Sequence, residues 1–399
     1  MWKAKLFLFA LVGLMMSLYA QIEQRTTVVK STSSNPSIGI LDFKGPADIK
    51  AKMETLLERC GWFNLLRGAN ARQAEIRLNV RVSEGGAIST EVNAGIKKFI
   101  AGSNSEGDMA ARETVDGILK NLFNVKGLCT RKLYYVVSGE ENKKEIYSCY
   151  IDGSGVERET FNRAISTEPS WGHANAMVYT LAKNNALCIV LFDRANNRQR
   201  VVSNSPGLNS SAGLSHDGSR IALPLSVQNQ VDLYYIDLKD DSRIRLTKDR
   251  DVESSPCWSP DDSKIVYVSD KLGVPQLYMK DLKTGTDKRI SSGNNECVSP
   301  DWSNVSNKLC FSMKDNLGQR VICVIDMNDP AHQAKVITRA TGQWEAPSWG
   351  PDGRQIVCTR SSSSAADSTI YIVDSWTGAF MPVFSKSPKL TLPAWNPAY

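Results

Sequence analysis

Apolar and polar positions along this chain follow two different rhythms. Between residues 75 and 82, Ile76, Leu78, Val80 and Val82 alternate with Glu75, Arg77, Asn79 and Arg81, the period of a half-buried strand. Ser37 to Phe43 and Trp62 to Leu66 also read as strands. Two stretches keep helical spacing instead. Ile49, Met53, Leu56, Leu57 and Cys60 share one face of a helix that opens at Pro46 and stops at Gly61. Val115, Ile118, Leu119, Leu122 and Phe123 share one face of a second helix, expected to end near Gly127 and to run into the next domain at about residue 130. Residues 37–130 therefore read as a small α/β domain.

Beyond residue 130 the pattern changes to short apolar runs bounded by polar turns. Examples are Leu133-Tyr134-Tyr135-Val136-Val137, Ile221-Ala222-Leu223, Ile265-Val266-Tyr267-Val268, Leu309-Cys310-Phe311 and Ile356-Val357-Cys358. These β-prone runs recur with a fixed companion. The clearest copies are Trp258-Ser259-Pro260-Asp261-Asp262 and Trp349-Gly350-Pro351-Asp352-Gly353. Weaker copies start at Trp171, Leu214, Trp302 and Trp395, and successive starts lie 43, 44, 44, 47 and 46 residues apart. A period of that size built from short strands predicts a β-propeller over residues 131–399.

Six runs end in an aspartate: Asp152, Asp193, Asp237, Asp281, Asp326 and Asp374. One Asp at the same place in each unit is a turn residue repeated six times, because its carboxylate bonds nearby backbone N–H groups. The tryptophans read as packing anchors between blades. Six such runs predict six blades. The first lacks a Trp turn before it, and Leu392-Pro393-Ala394-Trp395-Asn396-Pro397 supplies the missing piece. The expectation is that this segment closes the ring and removes an exposed edge.

Candidate chemistry is sparse. His173, His216 and His332 fall in three different repeats, a poor basis for a metal site. No nucleophile elbow, phosphate-binding loop or dinucleotide motif occurs, and acidic pairs such as Asp261-Asp262 read as turns. No catalytic, cofactor-binding or metal-ligating residue is assigned. The net charge of +6 is mild, and no basic cluster alternates with aromatics, which argues against nucleic-acid binding.

Lys3 and Lys5 precede the apolar stretch Leu6–Leu18, followed by Ala20. This reads as a secretory signal over residues 1–20 with cleavage near Ala20, too short to span a bilayer. Residues 21–36 are polar and read as flexible. Nine cysteines form no C-x-x-C pair. Cys188, Cys310, Cys323 and Cys358 sit inside apolar runs and read as buried thiols, while one disulfide among the others stays open.

The layout as a whole resembles the periplasmic translocation protein TolB family of the Tol–Pal cell-envelope system. The resemblance rests on the strand Ile38-Gly39-Ile40-Leu41-Asp42-Phe43, the Gly61-Trp62-Phe63 stretch, the linker Val125 to Arg131 and the ending Leu392 to Pro397. The repeats at Trp171 and Trp302 depart from it by lacking Pro-Asp-Gly. It implies a periplasmic, monomeric, non-enzymatic scaffold without cofactors, peripheral to the envelope rather than membrane-spanning, that serves outer-membrane integrity and cell division. It also implies that the propeller binds the peptidoglycan-associated lipoprotein Pal at one mouth of its channel, and that the extreme N-terminus binds TolA.

Matching the repeats puts Asn209, Ser211, Glu253, Ser254, Ser255, Asn295, Glu296, Trp344 and Glu345 on the lipoprotein-binding rim. Trp344 is the expected anchor, because interface energy concentrates in a few residues and favours aromatics. The TolA contact falls on Ile22 and the β-prone Thr26-Thr27-Val28-Val29, which could add a strand to a partner's sheet. The alternative is an exported propeller enzyme or sensor acting on sugars or peptides. A cluster of His, Asp and Glu converging on the channel would favour it. A mouth lined by small polar residues would favour the scaffold.

Overall fold

The structure is a computed structural model and describes residues 35–125, 127–173, 175–228, 230–362, 367–385 and 389–396. The expected leader, the 21–34 stretch with Ile22, Thr26, Thr27, Val28 and Val29, and Pro397 lie outside the described residues. Two compact units form: 62–126 with the chain up to Lys50, and 127–399 with Ala51–Gly61. No helix among the described residues is long and apolar enough to cross a membrane.

In the first unit a five-stranded sheet has the order β2-β1-β3-β4-β5, where β1 is Ser37–Lys44, β2 Asn64–Leu65, β3 Ile76–Val82, β4 Ile88–Ala94 and β5 Lys97–Ser103. β1 runs parallel to β2 and β3, and β3, β4 and β5 are antiparallel. The alternation seen in β3 buries Ile76, Leu78 and Val80. The α1 helix, whose residues from Ala51 on are counted with the second unit, spans Ala47–Arg59 and buries Ile49, Met53, Leu56 and Leu57. Gly61 follows it at φ 71°, a left-handed conformation that glycine adopts without a Cβ penalty.

Two expectations need correction. The strand at 62–66 shrinks to Asn64–Leu65, because Trp62 and Phe63 turn inward to pack on Phe123, with ring centroids 4.9 and 5.5 Å away. The second helix, α2, spans Gly107–Phe123 and stops at Asn124 rather than near Gly127, without running on to residue 130. Asn124 takes φ 57° and returns its N–H to the Lys120 carbonyl, so an asparagine does the capping expected of glycine. The hairpin of β4 and β5 was not foreseen at all.

Among the described residues the second unit holds six four-stranded antiparallel blades, the first two joined into one eight-stranded sheet by a parallel contact between Lys144 and Ile165. Blade 2 is Ile165–His173, Ala176–Lys183, Ala186–Asp193 and Arg198–Ser203. Blades 3, 4, 5 and 6 begin with inner strands Gly213–Leu214, Glu253–Trp258, Cys297–Trp302 and Gln343–Trp349. Blade 1 is built from Leu133–Ser138, Lys144–Cys149 and Glu157–Arg158, and its inner strand is Leu390–Trp395. Leu390 pairs with Val137 and Trp395 with Leu133, so the ring closes as expected.

All six turn aspartates do the same job. Their carboxylates accept the N–H of Ser154, Asn196, Lys239, Lys283, Asn328 and Trp376, each two or three residues onward. Trp258 ties two blades together: it is buried, and its indole N–H donates to the Gly213 carbonyl of blade 3 at 2.9 Å, whereas the Trp302 indole donates to Asn307 within blade 5. Cys310, Cys323 and Cys358 are buried thiols and Cys188 is half-buried.

Candidate functional site

The inner strand of each blade carries a bulge at the same point. Three residues before the Trp position the backbone turns left-handed, at Glu168 (φ 54°), Ser211 (49°), Ser255 (48°), Ser299 (53°), Ala346 (48°) and Leu392 (50°). Pro follows in five of the six repeats and Ala212 in the other. Proline brings no N–H to the ladder, so pairing skips these residues, as the register breaks at Ser254/Cys257, Val298/Asp301, Glu345/Ser348 and Thr391/Ala394 show. The bulged residues line a single cavity of about 210 Å³ to which all six inner strands contribute. Left-handed non-glycine residues cost about 1–2 kcal/mol each and cluster where function or assembly over-determines them.

The cavity wall is mostly neutral: Ser170, Ser211, Ser255, Ser299 and Ser348 stand beside Trp171, Trp302, Trp349 and Trp395. Besides Cys257, three residues of acid–base type line it: Glu168, His216 and Asp301. Two of these are already committed to neighbouring blades. The Glu168 carboxylate accepts the Ser211 N–H at 2.7 Å, the Ser211 hydroxyl at 2.9 Å and the Thr180 hydroxyl at 2.8 Å. Asp301 accepts the Trp349 N–H at 2.6 Å. Burial pushes its carboxyl above the usual aspartate range, while that hydrogen bond and the nearby His216 pull the other way. The His216 backbone N–H is held by Asp262 of blade 4 at 2.9 Å.

The nine expected rim residues divide into two groups. Asn209, Glu253 and Trp344 are fully buried. They occupy the position five before the Trp, where Ser166, Cys297 and Leu390 are equally buried. The repeat thus makes this position part of the blade interior. Trp344 is accordingly corrected from exposed anchor to core residue. Its indole N–H donates to the Ala340 carbonyl at 2.9 Å, and its ring meets Tyr371 and Phe380 edge-on, with Arg360 4.8 Å from its centroid. Asn209 likewise accepts the Ser203 hydroxyl at 2.5 Å.

Ser211, Ser254, Ser255, Asn295, Glu296 and Glu345 keep partial exposure. Of these, Ser211 and Ser255 line the cavity. Arg320 bridges Glu296 (2.5 Å) and Glu345 (2.9 Å), tying blade 5 to blade 6. The expectation missed Glu168, Ser299, Ala346 and Leu392. The residue three before each Trp, read down the repeats, would have found them.

Among the described residues, one trio of carboxylates could hold a metal ion: Asp232, Asp249 and Glu253. It joins neither His216 nor Asp301.

The family described as TolB beta propeller domain matches residues 119–399. A protein TolB homolog of Chlorobium luteolum is 30% identical over 145 residues, which is 35% of this chain and 32% of that protein. A Tol-Pal system protein TolB of Helicobacter pylori is 24% identical over 217 residues, 53% of this chain and 52% of that protein. The matched stretches thus span about a third to a half of those relatives' own length. The crystal structure of TolB from Acinetobacter baumannii superposes with a TM-score of 0.80 at 19% identity, covering 92% of this chain and 98% of that one, a likeness of fold. Spanning well over half of the sequence, the family match shows that this chain belongs to the TolB beta propeller family.

Proposed function

We propose that this chain is a periplasmic, non-enzymatic binding scaffold of the Tol–Pal envelope system. It binds the peptidoglycan-associated lipoprotein through the propeller rim and TolA through residues 22–29. Membership of the TolB propeller family carries this reading, and the naming of the Helicobacter pylori relative supports it. The cavity adds a physical argument. Its largely neutral wall of serines, prolines and four tryptophans suits the backbone and apolar groups of a protein partner, and Glu168 and Asp301 are held by blade-to-blade hydrogen bonds rather than poised for proton transfer.

The rim residues that keep exposure are Ser211, Ser254, Ser255, Asn295, Glu296 and Glu345, and they take over the role first given to Trp344. The test is calorimetric titration of the full chain with the soluble domain of the lipoprotein and, separately, of TolA. Ser254→Trp adds bulk at the rim and should weaken lipoprotein binding while leaving TolA binding intact. Deleting residues 22–34 should do the reverse. Unchanged lipoprotein affinity in a folded Ser254→Trp chain removes the rim from the interface, and normal TolA binding after the deletion removes the segment.

The alternative reading, an exported propeller enzyme or sensor, rests on Glu168, His216 and Asp301 of the cavity wall. It requires Glu168→Gln or Asp301→Asn to abolish turnover of a sugar or peptide substrate. The scaffold reading expects loss of stability instead.

A further inference from the structure

Blades 3 and 4 gather three carboxylates, two buried and one half-buried, beside one guanidinium. Asp232 lies in the third strand of blade 3, Asp249 in the loop that leaves that blade, and Glu253 opens the inner strand of blade 4. One carboxylate oxygen from each lies within 4.8 Å of the other two. Asp232 and Glu253 are 0% exposed. Arg245 Nη2 meets Asp232 Oδ2 at 2.5 Å, and the Arg245 Nε–H goes to the Thr247 carbonyl. The Thr247 and Ser269 hydroxyls donate to Glu253 at 3.0 and 3.3 Å. Oδ1 of Asp232 and Oδ1 of Asp249 are closed off from solvent and receive no hydrogen bond.

That arrangement is electrostatically incomplete. Three carboxylates and one guanidinium leave two negative charges, with Asp232 and Glu253 wholly buried and Asp249 half-buried. Buried carboxylate oxygens without a donor are costly and call for a partner. The orphaned oxygen of Asp232 belongs to a wholly buried side chain whose carboxylate faces the other two acids.

The repeat supplies an internal control. One blade onward, the positions of Asp232 and Glu253 hold Gln276 and Cys297, and one further on they hold Val321 and Trp344. Gln276 Oε1 there accepts both Arg289 Nη2 and the Ser291 hydroxyl at 2.7 Å. In blade 1, Glu145 is bonded by Arg158, Thr160 and the Arg163 N–H. The fold builds this junction from neutral residues, or from one well-satisfied acid. The acidic trio is therefore not required by the propeller architecture.

We propose that Asp232, Asp249 and Glu253 form a binding site for a divalent cation, calcium in preference to magnesium. A cation of charge +2 balances the two excess negative charges and gives both orphaned oxygens a partner. Hard carboxylate donors drawn from two strands and a loop, in irregular geometry, suit calcium. Magnesium demands near-octahedral geometry and keeps its waters. A shared proton is the competing arrangement. Burial, with Asp249 nearby, pushes the Glu253 carboxyl up to about 8. One proton, however, leaves a net negative charge and satisfies only one of the two oxygens. The bound ion would pin the loop between Thr247 and Glu253, two residues before Ser255 on the cavity wall.

The test uses the full chain stripped of metal with a chelator. Calcium chloride is titrated calorimetrically, magnesium chloride in parallel, and thermal melts are recorded with each. The expected result is saturable calcium binding at a single site, weaker magnesium binding, and a Tm that rises by several degrees with calcium. Asp249→Asn removes a half-buried ligand without touching the strands. It should lower calcium affinity by about tenfold or more, the scale on which even outer-shell groups act at metal sites, and Asp232→Asn should do the same. The turn variant Asp261→Asn should bind calcium like the parent. The proposal is overturned if the stripped chain takes up no calcium, if Asp249→Asn leaves the affinity unchanged, or if acidification alone stabilises the chain and calcium does not.

Discussion

Trp395 stands opposite Leu133 in an antiparallel pair, which makes the last described strand of the sequence the inner strand of the first blade. Both residues are buried, and the Trp395 N–H reaches the Ser348 hydroxyl of blade 6 at 3.2 Å. This one strand thus joins two blades. Trp395→Ala should destabilise the propeller by about 3–5 kcal/mol, the usual cost of emptying a buried aromatic site. Deleting residues 390–396 should lower the Tm further and promote aggregation, because Leu133–Ser138 would become a free edge. Denaturant unfolding with light scattering checks both. A truncated chain that melts like the parent would show that closure contributes nothing.

Trp344 belongs to the blade 6 core, so its replacement should read out as stability. Trp344→Ala is expected to cost about 3–5 kcal/mol in urea unfolding. Trp344→Phe keeps an aromatic ring but loses the indole bond to Ala340, and should cost about 1–2 kcal/mol. A cost below about 1 kcal/mol for the alanine variant would contradict the packing described here.

The left-handed ring makes a sharper prediction at Ala346, at φ 48° on the cavity wall. Ala346→Val should destabilise by about 1–2 kcal/mol, because a β-branched residue fits this conformation poorly. Ala346→Gly should stay within about 0.5 kcal/mol of the parent, since relief of strain offsets the entropy that glycine adds to the unfolded chain. Thermal melts of the pair decide the matter. Equal behaviour of the two variants would rule out backbone conformation as the constraint.

Asp261 gives a pH signature. The Ser259 hydroxyl at 2.6 Å, with Ser263 at 2.8 Å, holds its carboxyl down to about 2. The unfolded chain titrates this group near 3.9. Its contribution is therefore present above about pH 4 and is lost as pH falls through about 2. Because the side chain is exposed, solvent screening keeps the contribution small, about 0.5 kcal/mol. Asp261→Asn should lower stability by that amount at neutral pH and flatten the acid limb between pH 4 and pH 2. An unchanged acid limb would remove these hydrogen bonds as the cause.

Much of this molecule was legible along the chain because its information is local and repeated. A Trp turn, an apolar run and a turn aspartate recur at a fixed interval, and backbone chemistry forces each copy into the same strand–turn–strand unit. The role of Asp237 follows from its place before Lys239, with no distant partner needed. Even the pairing of the 390s with the 130s could be inferred, because the first run lacked its Trp turn and Trp395 lacked its run.

The candidate site was less legible. Repeat matching brought Ser211 and Ser255 to the cavity, yet it also put Glu253 and Trp344 on the rim. Position relative to the Trp turn fixes a residue's place in the blade, but the bulge at each X-Pro step decides which side chain faces the cavity and which is buried. Trp344 looks like an exposed anchor only until the repeats are aligned on burial, where it falls with Ser166 and Cys297.

The sequence by itself determined the two-part organisation, the six blades, their closure and the turn chemistry, because each depends on neighbours a few residues apart or on a regular period. Only the tertiary structure decided what meets across blade boundaries. Glu168 finds Ser211 and Arg320 finds Glu345 across those boundaries. Asp232 meets Glu253 in the same way, with two oxygens of the trio left unsatisfied. Such contacts join positions a repeat or half a repeat apart, and their energies depend on burial, distance and the number of available donors, none of which a linear pattern encodes.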